Sequence, residues 1–496
     1  MHLSTRLSKG DIDSLSVAVV TSEGILYEEN FGVMRGNESN SPRTHSHSMY
    51  RIASVSKLFT VLEGHILKQK GAISWDDPVE KYLPQFKPRF DGFDPSWKPG
   101  PDASITMFQL ATHMSGLGRD WPPGTVSNWP LDMQGGGPPP TNGLPFPSHE
   151  SLFKAISNTR LISPPSSYPA YSNTGIGVLG LAVVAANRVA YGSEEPDEYA
   201  DLLKRDIFVP LGLNGSHFLT TDANKHLVVV PSLGPEAADQ DFLDAMNPAG
   251  GQFLIAFGHD HSHQNFAESP TSKESYNPTN NGHLAPDVHA FDEDDWTEIG
   301  LIWEILKAQD SNGRLCKIYW KVGAMGGYHA AAAIHPGTSY GVIVLMGGRY
   351  PDAAKLAYDA FEIFQPAIDG ALSQLSVLLY GGKWSSADSN STAHIVVEKG
   401  TLYLEKLTLS GKDVLPMFYA PGRVALRSTE RRDEFRIDTG LPGYHGVKHL
   451  GCYPYWNGQD LWGLRNGAPI NLIYFSGPEN ARTMHVPSVD IMLKRS

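Results

Sequence analysis

The sequence predicts an α/β (α+β) chain: an antiparallel sheet flanked by helices, followed by a small all-β domain. Three observations predict it. Two apolar runs have helical spacing, one through Leu58, Phe59, Leu62 and Ile66, the other from Thr174 to about Ala186. Strand-like runs lie at both ends of the first part of the chain, near the N-terminus and between Trp303 and Leu345. After about residue 378 the texture changes to short alternating strands between turns, which reads as a barrel or sandwich.

Length and composition set the bounds. A chain of 496 residues exceeds one compact core, so two domains are expected, at 1–378 and 379–496. Hydrophobic residues make up 41% and aromatics 10%, as in a globular chain. A formal net charge of −13 argues against a nucleic-acid partner and an anionic membrane surface. Two cysteines, Cys316 and Cys452, exclude a disulfide framework and read as free thiols, with a single bridge as the alternative. No long uncharged apolar run suggests a membrane span. The first residues lack a secretory apolar region, so the chain as it stands is expected to be cytoplasmic. The oligomeric state is not legible here.

In chain order, Leu15–Val20 and Gly24–Phe31 read as two strands joined at 21–23. Ser54 then opens the first apolar helix, which Gly71 ends. Ile105–Gly116 reads as a helix capped by Thr106. Residues 119–150 are rich in Pro and Gly, with Trp121, Trp129 and Phe146 interleaved. So long a loop is usually functional or disordered, and its aromatics read as packing over an apolar pocket, with a plain surface loop as the alternative. Residues 258–297 form a second, polar insertion. Segments at 303–305, 318–323, 328–334 and 341–345 read as successive antiparallel strands, and Asp352–Phe364 as a closing helix.

The chemistry starts at Ser54-Val-Ser-Lys57. A serine at a helix N-terminus faces backbone N–H groups suited to developing negative charge. A lysine three residues on lies one helical turn away, and its desolvated amine can act as the base that serine needs. Alone the motif is weak, because Ser151-Leu-Phe-Lys154 also fits. The order Ser54–Lys57, Tyr171-Ser-Asn173, Lys321-Val-Gly323 is far more specific than any one member. The competing matches lack context: Lys98-Pro-Gly100 carries a strand-breaking proline, and Tyr455-Trp-Asn457 lies in the β segment.

On these motifs the chain resembles the serine β-lactamase and penicillin-binding-protein superfamily, nearest to class C β-lactamases and esterases of that fold. Ser54–Thr60 resembles the nucleophile helix, Leu110–Leu117 the "LLTHTSGL" helix, and Lys321–Tyr328 through Pro336 the "KTG" strand and its hairpin. The resemblance covers roughly residues 10 to 370. The C-terminal part is similar to lipocalin-like domains appended to some members. The resemblance implies a β-lactamase/transpeptidase-like fold and a serine hydrolase working on a small-molecule acyl substrate without a cofactor. It implies Ser54 as nucleophile, Lys57 as base or as the charge that keeps the local field positive, Tyr171 as proton relay, and Asn173 as a group that orients Lys57 or holds the substrate. Lys321 completes the catalytic set, with cations Lys57 and Lys321 expected to lower the Tyr171 pKa. Backbone N–H groups of Ser54 and Ala324 form the implied oxyanion hole. Gly323, Tyr328, Trp121 and Arg349 are the expected substrate contacts. The family threonine of the strand is Val322 here, and Arg349 is the candidate cation in its place.

Rival readings are few. His259, His261 and His263 alternate in the polar insertion, and a solvated loop is the default over a zinc site. A catalytically idle binding protein of this fold is disfavoured, since the whole reactive set is present. Hydrolysis and acyl transfer to an alcohol or amine share one acyl-enzyme, and both stay open.

Overall fold

The computed structural model describes residues 2–91, 100, 103–128, 131, 133–136, 139, 143–145, 147–167, 169–232, 254–255, 297–310, 315–418, 422–429, 431–438 and 463–496. The chain divides into two compact units: Met1–Ala308 with Leu315–Phe361, and Gln309–Arg314 with Glu362–Ser496.

The first unit carries a seven-stranded antiparallel sheet: β1 (Ile12–Thr21), β2 (Gly24–Gly32), β3 (Thr297–Gly300), β4 (Trp303–Gln309), β5 (Leu315–Met325), β6 (Tyr328–His335) and β7 (Tyr340–Gly348). Their order is β2-β1-β7-β6-β5-β4-β3, so the N-terminal hairpin joins the sheet through β7. β1 is buried along most of its length because both faces are covered, and its sequence is accordingly a near-continuous apolar run.

Three helices frame the site. α1 (Lys57–Gln69) follows a 3₁₀ turn at Ala53–Ser56. α2 (Met107–Ala111) starts with a reciprocal capping box between Thr106 and Gln109. It ends well before Gly116, the stop read from the sequence, because the Thr112 hydroxyl and amide both bond the Phe108 carbonyl and His113 turns left-handed at φ 59°. α3 (Asn173–Tyr191) is capped by Ser172, whose hydroxyl accepts the Gly175 amide at 2.8 Å. Its apolar length would span a membrane, but Ile176, Val178, Leu179, Ala182 and Val183 are buried in the core with Leu110, Phe86 and Trp75.

The closing helix, α4 (Ala353–Tyr380), is longer than expected and runs through Pro366. The unit boundary therefore falls inside it, ahead of the 378/379 position. Its first turns belong to the first unit, where Phe361 packs on Tyr340 at 5.1 Å between ring centroids. Its last residue, Tyr380, meets Phe435 and Phe475 of the second unit, both at 5.0 Å.

The second unit is a closed barrel. Strands Gly382–Ser386, Ser391–Glu398, Thr401–Leu409, Val424–Ser428, Glu434–Ile437, Leu472–Ser476, Thr483–Val486 and Ile491–Arg495 each pair antiparallel with the next, and the last pairs back to the first. Closure leaves these strands no open edge. Alternate residues face inward around Trp384, Leu404, Ile473 and Leu493, all fully buried.

Candidate active site

Ser54 lies in the 3₁₀ turn that leads into α1, one turn ahead of the α-helix proper. The turn is held tightly: Ala53 has φ 47°, and the Val55 amide bonds the Ile52 carbonyl at 3.1 Å. β5 presses against it. A Cβ on Gly323 would lie 2.2 Å from the Ile52 carbonyl oxygen and 2.9 Å from the Ser54 nitrogen. Gly323, expected to contact substrate, therefore serves the approach of strand to nucleophile turn, where no side chain fits. Ala324, next along the strand, is exposed.

Lys57 and Tyr171 converge on the serine. Lys57 Nζ is 2.8 Å from Ser54 Oγ, and the Tyr171 hydroxyl donates to the same oxygen at 2.6 Å. Burial, followed by the positive charges of Lys321 and Arg119, brings the Lys57 amine down to about 7. Near neutral pH a large share of it is unprotonated and able to take a proton.

Tyr171 departs from expectation. Its pKa is raised, mainly by burial, with the Ser54 hydrogen bond acting in the opposite direction. The cations do surround it: Lys57 Nζ, Lys321 Nζ and Arg119 Cζ lie 5.1, 5.3 and 4.8 Å from its ring centroid. Desolvation of the phenolate outweighs them, and the nearby carboxylates of Glu304 and Asp120 offset their field. The phenol rests protonated.

Lys321 on β5 is almost fully buried. Its Nζ donates to Glu304 Oε1 on β4 at 2.5 Å and to the Val322 carbonyl at 3.0 Å. The Val322 amide in turn donates to Glu304 Oε2 at 3.3 Å. Burial lowers the Lys321 pKa, while Glu304 acts to raise it. Asn173, expected to orient Lys57 or hold the substrate, donates its side-chain amide to Asp120 Oδ1 at 2.7 Å.

His113 was legible only as part of a helix. Its ring lies 4.5 Å from that of Tyr171, and its Nδ1 accepts the Ser172 amide at 3.1 Å. Burial, then the charges of Lys57, Lys321 and Arg119, lowers it to about 3, so it stays neutral. Glu304, Asp120 and Arg119 were also missed. Glu304 had one available signal, a carboxylate between the apolar Trp303 and Ile305 of a strand. Asp120 and Arg119 had none, because they meet Asn173 and Tyr171 across some fifty residues of chain.

Three expected substrate contacts are located elsewhere. Tyr328 is fully buried and its hydroxyl donates to the Val229 carbonyl at 2.5 Å, so it is a core residue. Trp121 is buried in the main core, stacked over Gly118, and its amide bonds the Thr174 hydroxyl at 2.9 Å. Arg349 is exposed beyond β7, where its amide bonds the Asp11 carbonyl at 2.9 Å and its charge acts on Asp13. Trp129 and Phe146 lie outside the described residues.

The rival motifs are separated from this site. Ser151 is on the helix His149–Asn158 and its hydroxyl returns to the Ser148 carbonyl at 3.0 Å. Lys98, Tyr455, Cys452 and the histidines at 259, 261 and 263 lie outside the described residues, and Cys316 lies on β5. Among the described residues no three His, Cys, Asp or Glu side chains group to hold a metal ion.

A serine met by a lysine and a tyrosine on this sheet-and-helix frame is an arrangement of the β-lactamase kind. The β-lactamase family profile matches residues 2–364, and the chain belongs to that family, one of serine hydrolases. A beta-lactamase-like protein, str6, of Strobilurus tenacellus is 35% identical over 316 residues, 61% of this chain and 99% of that protein. Among solved structures, an octameric penicillin-binding protein homologue from Pyrococcus abyssi aligns over 100% of this chain and 98% of its own, with TM-score 0.54 and 19% identity. A class C β-lactamase aligns over 73% of this chain and 93% of its own, with TM-score 0.51 and 16% identity. At these identities the two structures speak for the fold alone.

Proposed function

We propose that the protein is a serine esterase or amidase that cleaves a small, partly apolar acyl substrate through an acyl-enzyme on Ser54. The observation that carries this reading is the convergence of Lys57 Nζ and the Tyr171 hydroxyl on Ser54 Oγ at 2.8 and 2.6 Å. Neutral Lys57 takes the Ser54 proton as Oγ attacks the carbonyl carbon. The carbonyl oxygen gains negative charge against the Ser54 and Ala324 amides. As the tetrahedral adduct collapses, the Tyr171 phenol protonates the leaving oxygen or nitrogen, and the Lys57 ammonium returns a proton to it. Water then enters in place of the leaving group, loses its proton along the same path, and attacks the ester carbon; Ser54 regains its hydrogen. Asp120 fixes Asn173, and Glu304 fixes the buried Lys321 beside the Tyr171 ring.

β-Lactams are expected to be poor substrates. Val322 supplies no hydroxyl for their carboxylate, and Arg349 sits by Asp13. A hydrogen bond lost to a charged group costs about 1.5–3 kcal/mol. The test is a screen of acyl esters, amides and a chromogenic cephalosporin, with and without alcohol acceptors, against Ser54→Ala. Ester or amide turnover that vanishes in Ser54→Ala supports the reading. Efficient cephalosporin hydrolysis refutes the substrate assignment, and acylated alcohol as the main product would make the protein an acyltransferase.

A further inference from the structure

Three cations surround the Tyr171 ring, and two are committed. Lys57 is bonded to Ser54, and Lys321 is buried on Glu304 and the Val322 carbonyl. Arg119 is different. Its side chain is 68% exposed, while its guanidinium stacks 4.8 Å from the ring centroid of the tyrosine that touches the nucleophile. Its backbone is pinned: the Arg119 carbonyl accepts the amides of Asn173 and Thr174, at 2.8 and 3.2 Å, at the start of α3. Among the described residues its side chain meets one carboxylate, Nε to Asp120 Oδ2 at 3.3 Å. Asp120 Oδ1 is taken by Asn173. Among the described residues the four Nη–H donors of Arg119 have no partner. A guanidinium pre-oriented by a stack, with an open pair of donors, has the geometry that grips a carboxylate through two parallel bonds.

We infer that Arg119 determines specificity by binding a carboxylate carried by the acyl substrate, so that the preferred substrates are half-esters or half-amides of dicarboxylic acids. This rests on the hydrolase reading above and narrows it. The anion is held at the mouth of the site, one ring away from the reacting carbonyl, without displacing any bond that Lys57 or Lys321 makes.

The test compares p-nitrophenyl hydrogen adipate with its methyl ester, in which a methyl group caps the terminal carboxylate and removes its charge. The readout is the ratio of their kcat/KM values, in which any effect of Arg119 on Lys57 or Tyr171 common to both substrates cancels. The native protein is expected to prefer the charged ester. Arg119→Ala should lower that preference roughly ten- to a hundredfold, mostly through KM, and Arg119→Lys should restore part of it. The native preference should also weaken with added salt. A ratio that Arg119→Ala leaves within about threefold of the native value overturns the inference. If neither ester is cleaved, the hydrolase reading has failed separately, and calorimetric binding of adipate decides the arginine. Binding that is lost in Arg119→Ala supports it, and equal or absent binding in both proteins overturns it.

Discussion

In the proposed mechanism Ser54, Lys57 and Tyr171 act as one proton path, and the resting charges decide its direction. Lys57, lowered to about 7 mainly by burial, is the base; Tyr171, raised by burial, is the acid. It follows that kcat/KM should climb with pH through about 7 as Lys57 loses its proton, then level off. Lys57→Ala and Tyr171→Phe should each slow acylation by roughly 10² or more. A pH profile flat between 5 and 9, or near-native turnover by Tyr171→Phe, would be incompatible with these roles. The serine and lysine were legible because one helical turn separates them in sequence. The partners that set their charges were not, because Glu304, Asp120 and Arg119 reach the site from distant segments that no local spacing announces.

At the scale of elements, two contacts matter most. The first is β5 against the Ala53–Ser56 turn. Gly323→Ala would place a methyl group 2.2 Å from the Ile52 carbonyl oxygen, so strand or turn must shift. Overpacking of this kind costs about 1–3 kcal/mol, and the shift falls on the Ser54 amide. Gly323→Ala is expected to lose at least tenfold in turnover while its circular dichroism spectrum stays native; unchanged turnover would show that the turn tolerates the methyl. The second contact lies under α1, where Glu63 is fully buried with neither carboxyl oxygen in a well-formed hydrogen bond. Asp206, ion-paired with Lys70 and Arg205, is close enough to repel it. Burial first, and Asp206 second, raise the Glu63 pKa well above its ordinary 4.5. A carboxyl raised in the folded state contributes stability that is complete below the unfolded pKa and lost as pH rises through the folded one. Native stability should therefore decline as pH rises from 4.5, by at most roughly 1.4 kcal/mol per unit, and Glu63→Gln should flatten that decline. Thermal denaturation across pH 4–9 measures both slopes, and parallel slopes would contradict the assignment. Glycine 323 shows how far the sequence carries at this scale. Its need for close approach was readable, but the object approached is the protein's own backbone. Tyr328 and Trp121 likewise looked like ligand contacts because aromatic residues serve cores and pockets alike.

At the scale of the whole molecule, the fold was the most legible layer. The N-terminal hairpin, the strands β4 to β7 and the apolar helix α3 all follow from periodicity, and alternation after about residue 378 announced an all-β domain, with barrel and sandwich left open. The length of α4 did not follow: the helix read as ending at Phe364 continues through Pro366 to Tyr380. Each unit has its own core, one around Leu110, Leu179 and Phe86, the other around Trp384 and Leu404. Calorimetry should accordingly resolve two unfolding transitions, and covalent modification of Ser54 should move only one. A single transition that shifts as a whole would contradict separate cores. The central claim, that Ser54 is the nucleophile activated by Lys57, is tested most directly by reacting the protein with a fluorophosphonate and mapping the adduct by peptide mass spectrometry. The adduct is predicted on Ser54 alone, and its formation should slow by roughly 10² in Lys57→Ala. An adduct on Ser151, or no adduct on the native protein, would contradict the claim.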